Sequence, residues 1–445
     1  MSVKFDRNYA GRSKVQSKQN KKLALLIPYT LRESNYHPDA ILEIGGADGE
    51  LAYIIQKRIP GTTVYNLDIS EDLIKIAREK YPEVKHICAD FFKVTPEELG
   101  REKFQVIYSS NTFHWFPLTG KKNNWKTAMQ KVYSLLESGG FFFLHQGGAW
   151  SYFPLYELAN TLYEKKYKRR VNLNKYLYYP TLKQIEKQFK KLGFVIFSLN
   201  SDYEFLGGRG NDYGTIELYE SFSVAGLSAV LSEVPEKDKE RFRKEFLHQC
   251  KIHQPPVFAH RIYAVLRKPF SREEILIKEE TVDQILPLLE EVSDEFVPPL
   301  HTRTPDDNNL NDKTSPDNPS GIHLYAGTLA KNYKILALFA GRELACFLAY
   351  KKTTSIVNPD EKVLYVSTIA TRKKFRKLGL AHKLYEYFLN AVKYNPEIKA
   401  VETRTWHTNL ASIKLLKKLK FKQVKRLKNH RGKGIHTLYF RKNLR

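Results

Sequence analysis

The sequence is poor in the residues that cross-link or ligate. Three cysteines stand among 445 residues, Cys88, Cys250 and Cys346. They are far apart, odd in number and outside any CxxC or His/Cys cluster, so neither a disulfide framework nor a zinc site is indicated. Three reduced, buried thiols are expected, and no metal. No apolar run approaches the roughly 20 residues a membrane span needs. The run Leu23 to Ile27 is too short, and too deep in the chain, for the core of a signal peptide. A cytoplasmic protein without a membrane association is the expectation. Low-complexity tracts and tandem repeats are also lacking.

Acidic residues are scarce too, and unevenly so. The chain carries 73 Lys+Arg against 48 Asp+Glu, a formal charge of +25. Between Arg372 and Arg445 the basic residues outnumber the acidic ones 22 to 3. That region should attract a polyanion: a nucleic acid, an acidic carrier protein or a phosphate-rich cofactor. A solvated lysine-rich face is the plain alternative.

What is present fits folded domains. Hydrophobic residues make up 42% and aromatics 13%, and the length suggests two or three domains. After a basic, mostly helical start, Ala40–Ile44, Thr63–Leu67, Val84–Ala89, Phe104–Ser109 and Phe141–His145 read as strands. Asp72–Tyr81 and Lys126–Leu136 read as helices among them. This alternation implies parallel βαβ units. The helical stretches 155–166, 181–192 and 236–249 follow, with strand candidates 195–199 and 260–266. The boundary falls at Lys268-Pro269-Phe270-Ser271, giving domains 1–268 and 272–445. In the second, strands are expected at 274–278, 334–339, 343–351, 362–370, 400–405 and 436–440, and helices at 281–296, 378–392 and 410–418. The polar stretch 298–321 reads as a long loop inside that domain.

The segment ILEIGGADGE, residues 41–50, lies where a strand hands over to a helix. Glycines there let the backbone approach a ligand, beside unpaired amides at the helix start. Asp68 ends the second strand, placed to accept from ribose hydroxyls, and Asp90 ends the third, placed to accept from an adenine amino group. Together they point to a nucleoside. At this point the first 268 residues resemble class I S-adenosylmethionine-dependent methyltransferases, with Ala47 where that family often has a central glycine. The closer resemblance is to malonyl-acyl-carrier-protein and trans-aconitate methyltransferases. It is carried by FDRNYAGRSKVQSKQ (5–19), SSNTFHWFP (109–117) and YYPTLKQIEKQFKKLGF (178–194). The resemblance implies S-adenosyl-L-methionine held around Glu43, Gly45, Gly49, Asp68, Ile69, Asp90, Phe91 and Ser109. It also implies methylation of a carboxylate on a small molecule or a carrier-bound acyl group. A carboxylate is already ionised, so positioning and desolvation would supply most of the rate. Tyr9, His114 and Trp115 are candidates to line the reacting centre, and His114 is alternatively a general base for an amine or hydroxyl. Arg169, Arg170 and Arg209 are candidates to pair with an anionic substrate.

In VLYVSTIATRKKFRKLGLAHKLYEYFL (363–389) a strand, a basic turn and an amphipathic helix succeed one another. Small residues at Gly379 and Ala381 let backbone amides point at an anion at the helix start. This resembles the pyrophosphate loop of Gcn5-related N-acetyltransferases (GNAT), as NLASIKLLKKLKF (409–421) resembles a later helix of that family. The expected architecture is therefore α/β, a Rossmann-like methyltransferase fold followed by an α+β GNAT fold. The resemblance implies acetyl-CoA, with Ile369, Arg376, Lys377, Gly379, Leu380 and Ala381 near the pyrophosphate and Asn409 near the pantetheine arm. Leu416 and Ser367 stand where that family often has a catalytic Tyr and Glu, and Lys420 replaces a Gly. Glu402, His407 and Tyr365 are the substitutes for a base, with a satisfied structural role as the alternative for His407. The expectation is a bifunctional enzyme. The alternatives are a methyltransferase with a docking domain for acyl-CoA, and an RNA-modifying enzyme in which Phe375, Trp406 and Phe421 stack on bases.

Overall fold

The computed structural model describes residues 14–119, 124–207, 213–224, 226–302 and 321–444. They form two compact units that divide between Pro269 and Phe270. No described helix is long and apolar enough to cross a membrane.

The first unit is built on a seven-stranded sheet. Its strands are β1 (Ala40–Ile44), β2 (Thr63–Asp68), β3 (Lys85–Cys88), β4 (Phe104–Ser110), β5 (Leu136–Gly147), β6 (Val195–Gly207) and β7 (Val257–Arg267). Their order is β3-β2-β1-β4-β5-β7-β6. The first five are parallel, and β7 runs antiparallel to both β5 and β6. The order reverses between β1 and β4, and a crevice for a ligand lies at the carboxyl ends of strands flanking such a reversal.

Local chemistry fixes the intervening helices. Ser70 caps Glu71–Lys80 through the Leu73 amide, and Thr181 with Gln184 forms a capping box ahead of Leu182–Lys191. Such caps satisfy amides that have no partner within the helix. One sheet face buries Ile41, Val106, Phe141, Phe143 and Val265 under Leu23, Ile27 and Leu31 of the helix Lys14–Glu33. The other buries Leu42, Ile107, Phe142 and Leu266 under Met129, Val132, Ile185 and Phe189. A separate apolar cluster joins helices Phe153–Tyr167, Tyr213–Val224 and Lys239–His253. The helix Tyr213–Val224 was not foreseen. The helix Asn124–Leu135 passes straight into β5, which starts five residues ahead of expectation. Antiparallel pairing lengthens β6 and β7 beyond their apolar centres.

The second unit carries another seven-stranded sheet. Its strands are β8 (Ile275–Glu280), β9 (Lys334–Ala340), β10 (Glu343–Thr354), β11 (Lys362–Thr371), β12 (Ala400–Trp406), β13 (Lys422–Leu427) and β14 (Thr437–Asn443), ordered β13-β14-β12-β11-β10-β9-β8. Only β11 and β12 are parallel. They pair over Val363–Val366 and Ala400–Thr403, and their carboxyl ends run on without pairing to each other. The register of β10 against β11 steps past Ser367, leaving it as a bulge. The helix Leu380–Val392 packs Leu384, Tyr385 and Phe388 on one face, and Val282–Val292 and Gly321–Asn332 cover the other. The loop expected over 298–321 ends where an unforeseen helix, Gly321–Asn332, begins, and residues 303–320 lie outside the described residues. Strand β13 was also missed: its pattern is exposed at every position but the last, so no apolar alternation marks it. Two cysteines are buried as expected, but Cys88 is exposed.

Candidate functional site

At the carboxyl end of β1 the chain turns through Gly45, Ala47 and Gly49, with φ of 72°, 48° and 75°. A Cβ on Gly45 would lie 2.3 Å from the Thr112 hydroxyl, and one on Gly46 would lie 2.1 Å from Asn66 Oδ1. The space these glycines leave is therefore filled by the protein's own side chains. Asp68, at the end of β2, accepts from the Ala47 and Ser70 amides on its two oxygens, both at 2.9 Å. That fixes the carboxylate while leaving a lone pair on each oxygen, which suits two neighbouring hydroxyl donors. Ile69 beside it is 58% exposed, an apolar surface at the mouth. Asp90 holds the Phe92 amide through Oδ1 at 2.9 Å, and Phe91 is buried behind it. This edge fits a nucleoside: two fixed carboxylates at adjacent strand ends with an aliphatic face between them.

Two of the residues expected to touch that ligand are turned to internal work. Ser109 is fully buried and donates to the Ile44 carbonyl at 2.8 Å, tying β4 to β1. Glu43 is buried and accepts from the Tyr108 hydroxyl at 3.0 Å. Burial pushes its carboxyl up to about 8, against the Tyr108 bond, which holds it down. Glu43 is thus largely protonated at neutral pH.

Next to this edge, a polar cluster sits at the ends of β4, β5 and β7. His114 lies in the turn after β4, its ring 4.9 Å from Trp115 and 5.3 Å from Tyr179. It is 6% exposed, and its Nδ1 has no partner among the described residues. Burial first, then the Arg261 charge, pull its pKa down to about 3. His145, on β5, is buried, stacks on Tyr263 at 4.5 Å and shares a hydrogen bond with the Ser110 hydroxyl at 3.2 Å. The same two causes hold it well below the usual histidine range.

The arginines expected to meet an anion are elsewhere. Arg169 binds Glu233 and the Tyr163 hydroxyl, and Arg170 binds Glu157 and Glu164. Both are surface ion pairs of the protein itself. Tyr9 and Arg209 lie outside the described residues. The buried arginine of the cluster is Arg261, which the sequence did not single out, because nothing in its neighbours marks it among the 73 basic residues.

In the second unit, Gly379 (φ 77°) precedes the helix Leu380–Val392, whose first intrahelical bond runs from the Lys383 amide to the Gly379 carbonyl. The amides ahead of Lys383 thus have no acceptor within the helix. No atom lies within 4 Å of a Cβ placed on Gly379, so the turn opens on space. Lys377 shares the left-handed conformation (φ 63°). An anion fits this turn through backbone groups. The basic side chains beside it are partly engaged: Arg376 donates to the Thr371 carbonyl and pairs with Glu295 at 2.7 Å, and Lys374 pairs with Glu343. Ile369 packs against the apolar core under the helix.

The substitutes for a base are occupied. Glu402 is buried and accepts from Ser355 Oγ at 2.6 Å, the Ile356 amide at 3.0 Å and Arg441 at 2.8 Å. A carboxylate held by an arginine and two further donors anchors strands, and its oxygens are already engaged. His407 accepts from the His436 amide through Nδ1 at 3.2 Å, the satisfied alternative. Asn409 caps Leu410–Lys418 through the Ser412 amide at 3.1 Å. Tyr365, raised by burial to about 12, lines a cavity of about 240 Å³ with Glu402, Arg404 and Tyr439. Phe375 and Phe421 are buried, and Trp406 lies against Phe296 and Arg431. Of the three rings expected to stack on bases, two are packed inside and Trp406 is half-buried.

Comparison with known proteins agrees with both halves. A methyltransferase-domain family matches residues 42–142, and the acetyltransferase (GNAT) family matches residues 289–421. Malonyl-[acyl-carrier protein] O-methyltransferase 1 of Ilyobacter polytropus is 26% identical over 284 residues, 61% of this chain and 93% of that protein. The malonyl-[acyl-carrier protein] O-methyltransferase of Priestia megaterium is 35% identical over 104 residues, 23% of this chain and 34% of its own length. A solved loganic acid methyltransferase with SAH aligns with 60% of this chain and 98% of its own at 12% identity and a TM-score of 0.45. The chain therefore joins a methyltransferase domain of the class I, Rossmann-like fold to a GNAT acetyltransferase domain.

Proposed function

We propose that the first unit transfers a methyl group to a carboxylate oxygen, on a small acid or an acyl group borne by a carrier protein. The observation that carries this is the state of His114 and His145. Both are buried, neutral and held well below the usual histidine range, so neither is suited to strip a proton from an amine or alcohol near pH 7. A carboxylate needs no such help. S-adenosyl-L-methionine would supply an electrophilic methyl on a sulfonium, and Asp68, Ile69, Asp90 and Phe91, with the 45–49 turn, would hold it. The acceptor oxygen forms its bond to carbon as the sulfur–carbon bond breaks, and no proton moves. His114, Trp115 and Tyr179 exclude water and orient the acceptor. The relatives named for malonyl-[acyl-carrier protein] support this acceptor class.

The second unit takes acetyl-CoA, with the pyrophosphate at the amides of residues 376–381. Acetyl transfer to an amine needs an exit for a proton, and with Glu402 held by Arg441 and Tyr365 kept protonated that exit falls to water. The same occupancy favours a second reading, in which this unit docks acyl-CoA without turning it over. The test of the main reading is mass spectrometry of a malonyl thioester incubated with the full chain and S-adenosyl-L-methionine. A base-labile methyl ester is expected. Methylation of amines or hydroxyls only would overturn the reading.

A further inference from the structure

Arg261 is the buried cation that the reaction above does not yet use. It lies near the start of β7, opposite Gly147 of β5 and Asp202 of β6. Because β7 is antiparallel, this is the carboxyl end of β5, on the ligand edge of the sheet. Its side chain is 4% exposed. One neighbour, Glu204, accepts from Nε at 3.3 Å, but Glu204 is 40% exposed and leaves Nη2 without a partner among the described residues. Asp202, opposite it on β6, pairs with Lys22 through Oδ2 at 2.5 Å and makes no bond to Arg261 among the described residues, its Oδ1 being likewise without a partner there.

A buried donor on a charged group is costly to leave unmade, about 1–3 kcal/mol or more, and asks for an explanation. The surroundings give one. Two further buried nitrogens, His114 Nδ1 and His145 Nε2, also lack partners among the described residues, and both imidazoles feel the Arg261 charge. On the same face of β7 Tyr263 stacks on His145. A guanidinium with an unengaged Nη2, beside neutral imidazoles that can each offer one N–H, is a receptor for a single carboxylate.

We propose that Arg261 is the carboxylate anchor of the methyltransferase unit, binding the acceptor's carboxylate through Nη2 and thereby selecting acids over their neutral analogues. This rests on the carboxyl-methylation reading and names the residue that enforces it. Arg261 touches the substrate; it does not move a proton.

The test uses the full chain with saturating S-adenosyl-L-methionine and three probes, the malonyl, succinyl and glutaryl thioesters of N-acetylcysteamine. For the best probe, R261Q should raise KM by at least about 30-fold, the scale expected when a buried charge-assisted pair loses one partner. Affinity for S-adenosylhomocysteine should stay within about two-fold, and R261K should recover part of the loss, because it keeps charge without the fork. An R261Q KM within about three-fold of wild type overturns the anchor and leaves carboxyl methylation standing. If R261Q loses S-adenosylhomocysteine binding, E204Q decides. An unchanged or lower KM upholds an anchor that Glu204 only steadies, and a raised KM assigns Arg261 to the Glu204 pair and overturns it. If wild type methylates none of the probes, calorimetry with malonate separates the two claims. Binding that R261Q abolishes keeps the anchor while the reaction is abandoned; binding equal in both, or absent from both, overturns the anchor.

Discussion

A histidine enclosed by Trp115 and Tyr179 and facing Arg261 holds a proton only at a large desolvation cost, and pH exposes that cost. The unfolded chain binds a proton at position 114 near the usual value of 6.5, the folded chain only near 3. Between those values the unfolded state binds more protons, so stability falls as pH falls through that window. From pH 7 to pH 5 the loss from this one group is about 2 kcal/mol. An H114Q chain should show a shallower fall in the midpoint of thermal unfolding over that range, measured by calorimetry. Glu43 has the opposite sign. Its folded carboxyl is raised from 4.5 to about 8, so its favourable contribution is complete below 4.5 and disappears as pH rises through 8. E43Q mimics the protonated form and should cost little at pH 6, while removing roughly 2–3 kcal/mol of destabilisation between pH 6 and pH 9. Equal alkaline sensitivity in E43Q and wild type would refute the buried neutral carboxyl.

Which residues of the site could be read in advance follows from the same physics. The placement of Asp68 and Asp90 at or just past strand ends was legible because such positions are fixed by the strands before them. Arg261 was not, because its environment is made by β5 and β6, far away in the chain. Arg169 and Arg170 were candidates for an anion with Arg209, yet they meet Glu233 and the acids of the helix Phe153–Tyr167.

At the scale of elements, the apolar runs of the central strands announce themselves, since local patterns create them. What stayed hidden is made by pairing. Strand β13 exists because β14 offers it an edge, and the bulge at Ser367 is a property of two strands rather than one. The turn before Leu380–Val392 gives the sharpest test at this scale. Gly379 needs its left-handed φ but has open space for a methyl group. G379A should therefore cost about 1 kcal/mol of stability through backbone strain alone. If the amides of this turn hold pyrophosphate, acetyl-CoA affinity should fall several-fold as well, as isothermal titration would show. Unchanged affinity would place the cofactor elsewhere.

For the whole molecule, each unit has its own apolar core, so a ligand that binds one folded unit should stabilise that unit. At a hundred times Kd the gain is about 2.7 kcal/mol. Thermal melts of the full chain should show a shift with S-adenosyl-L-methionine and another with acetyl-CoA. A shift with the first alone would demote the second unit to another role, and none with the first would remove the methyltransferase cofactor from the reading. The basic surplus is a property at this scale too. Lys414, Lys417, Lys418, Lys420, Lys422, Lys425, Arg426, Lys428 and Lys433 are exposed, and none pairs with a carboxylate among the described residues, whereas the basic turn 372–376 is tied to Glu291, Glu295 and Glu343.

Strand β13 closes its sheet on one side with a row of backbone groups open to solvent, and it carries three of those charges, Lys422, Lys425 and Arg426. An uncovered edge invites a second molecule to add its own strand, and lysines along it are a common deterrent. Here the deterrent is mutual repulsion between copies, which salt screens within about 10 Å at 0.1 M. Concentrated salt, often added to keep basic proteins clear of polyanions, should therefore work against this one and bring its copies together edge to edge.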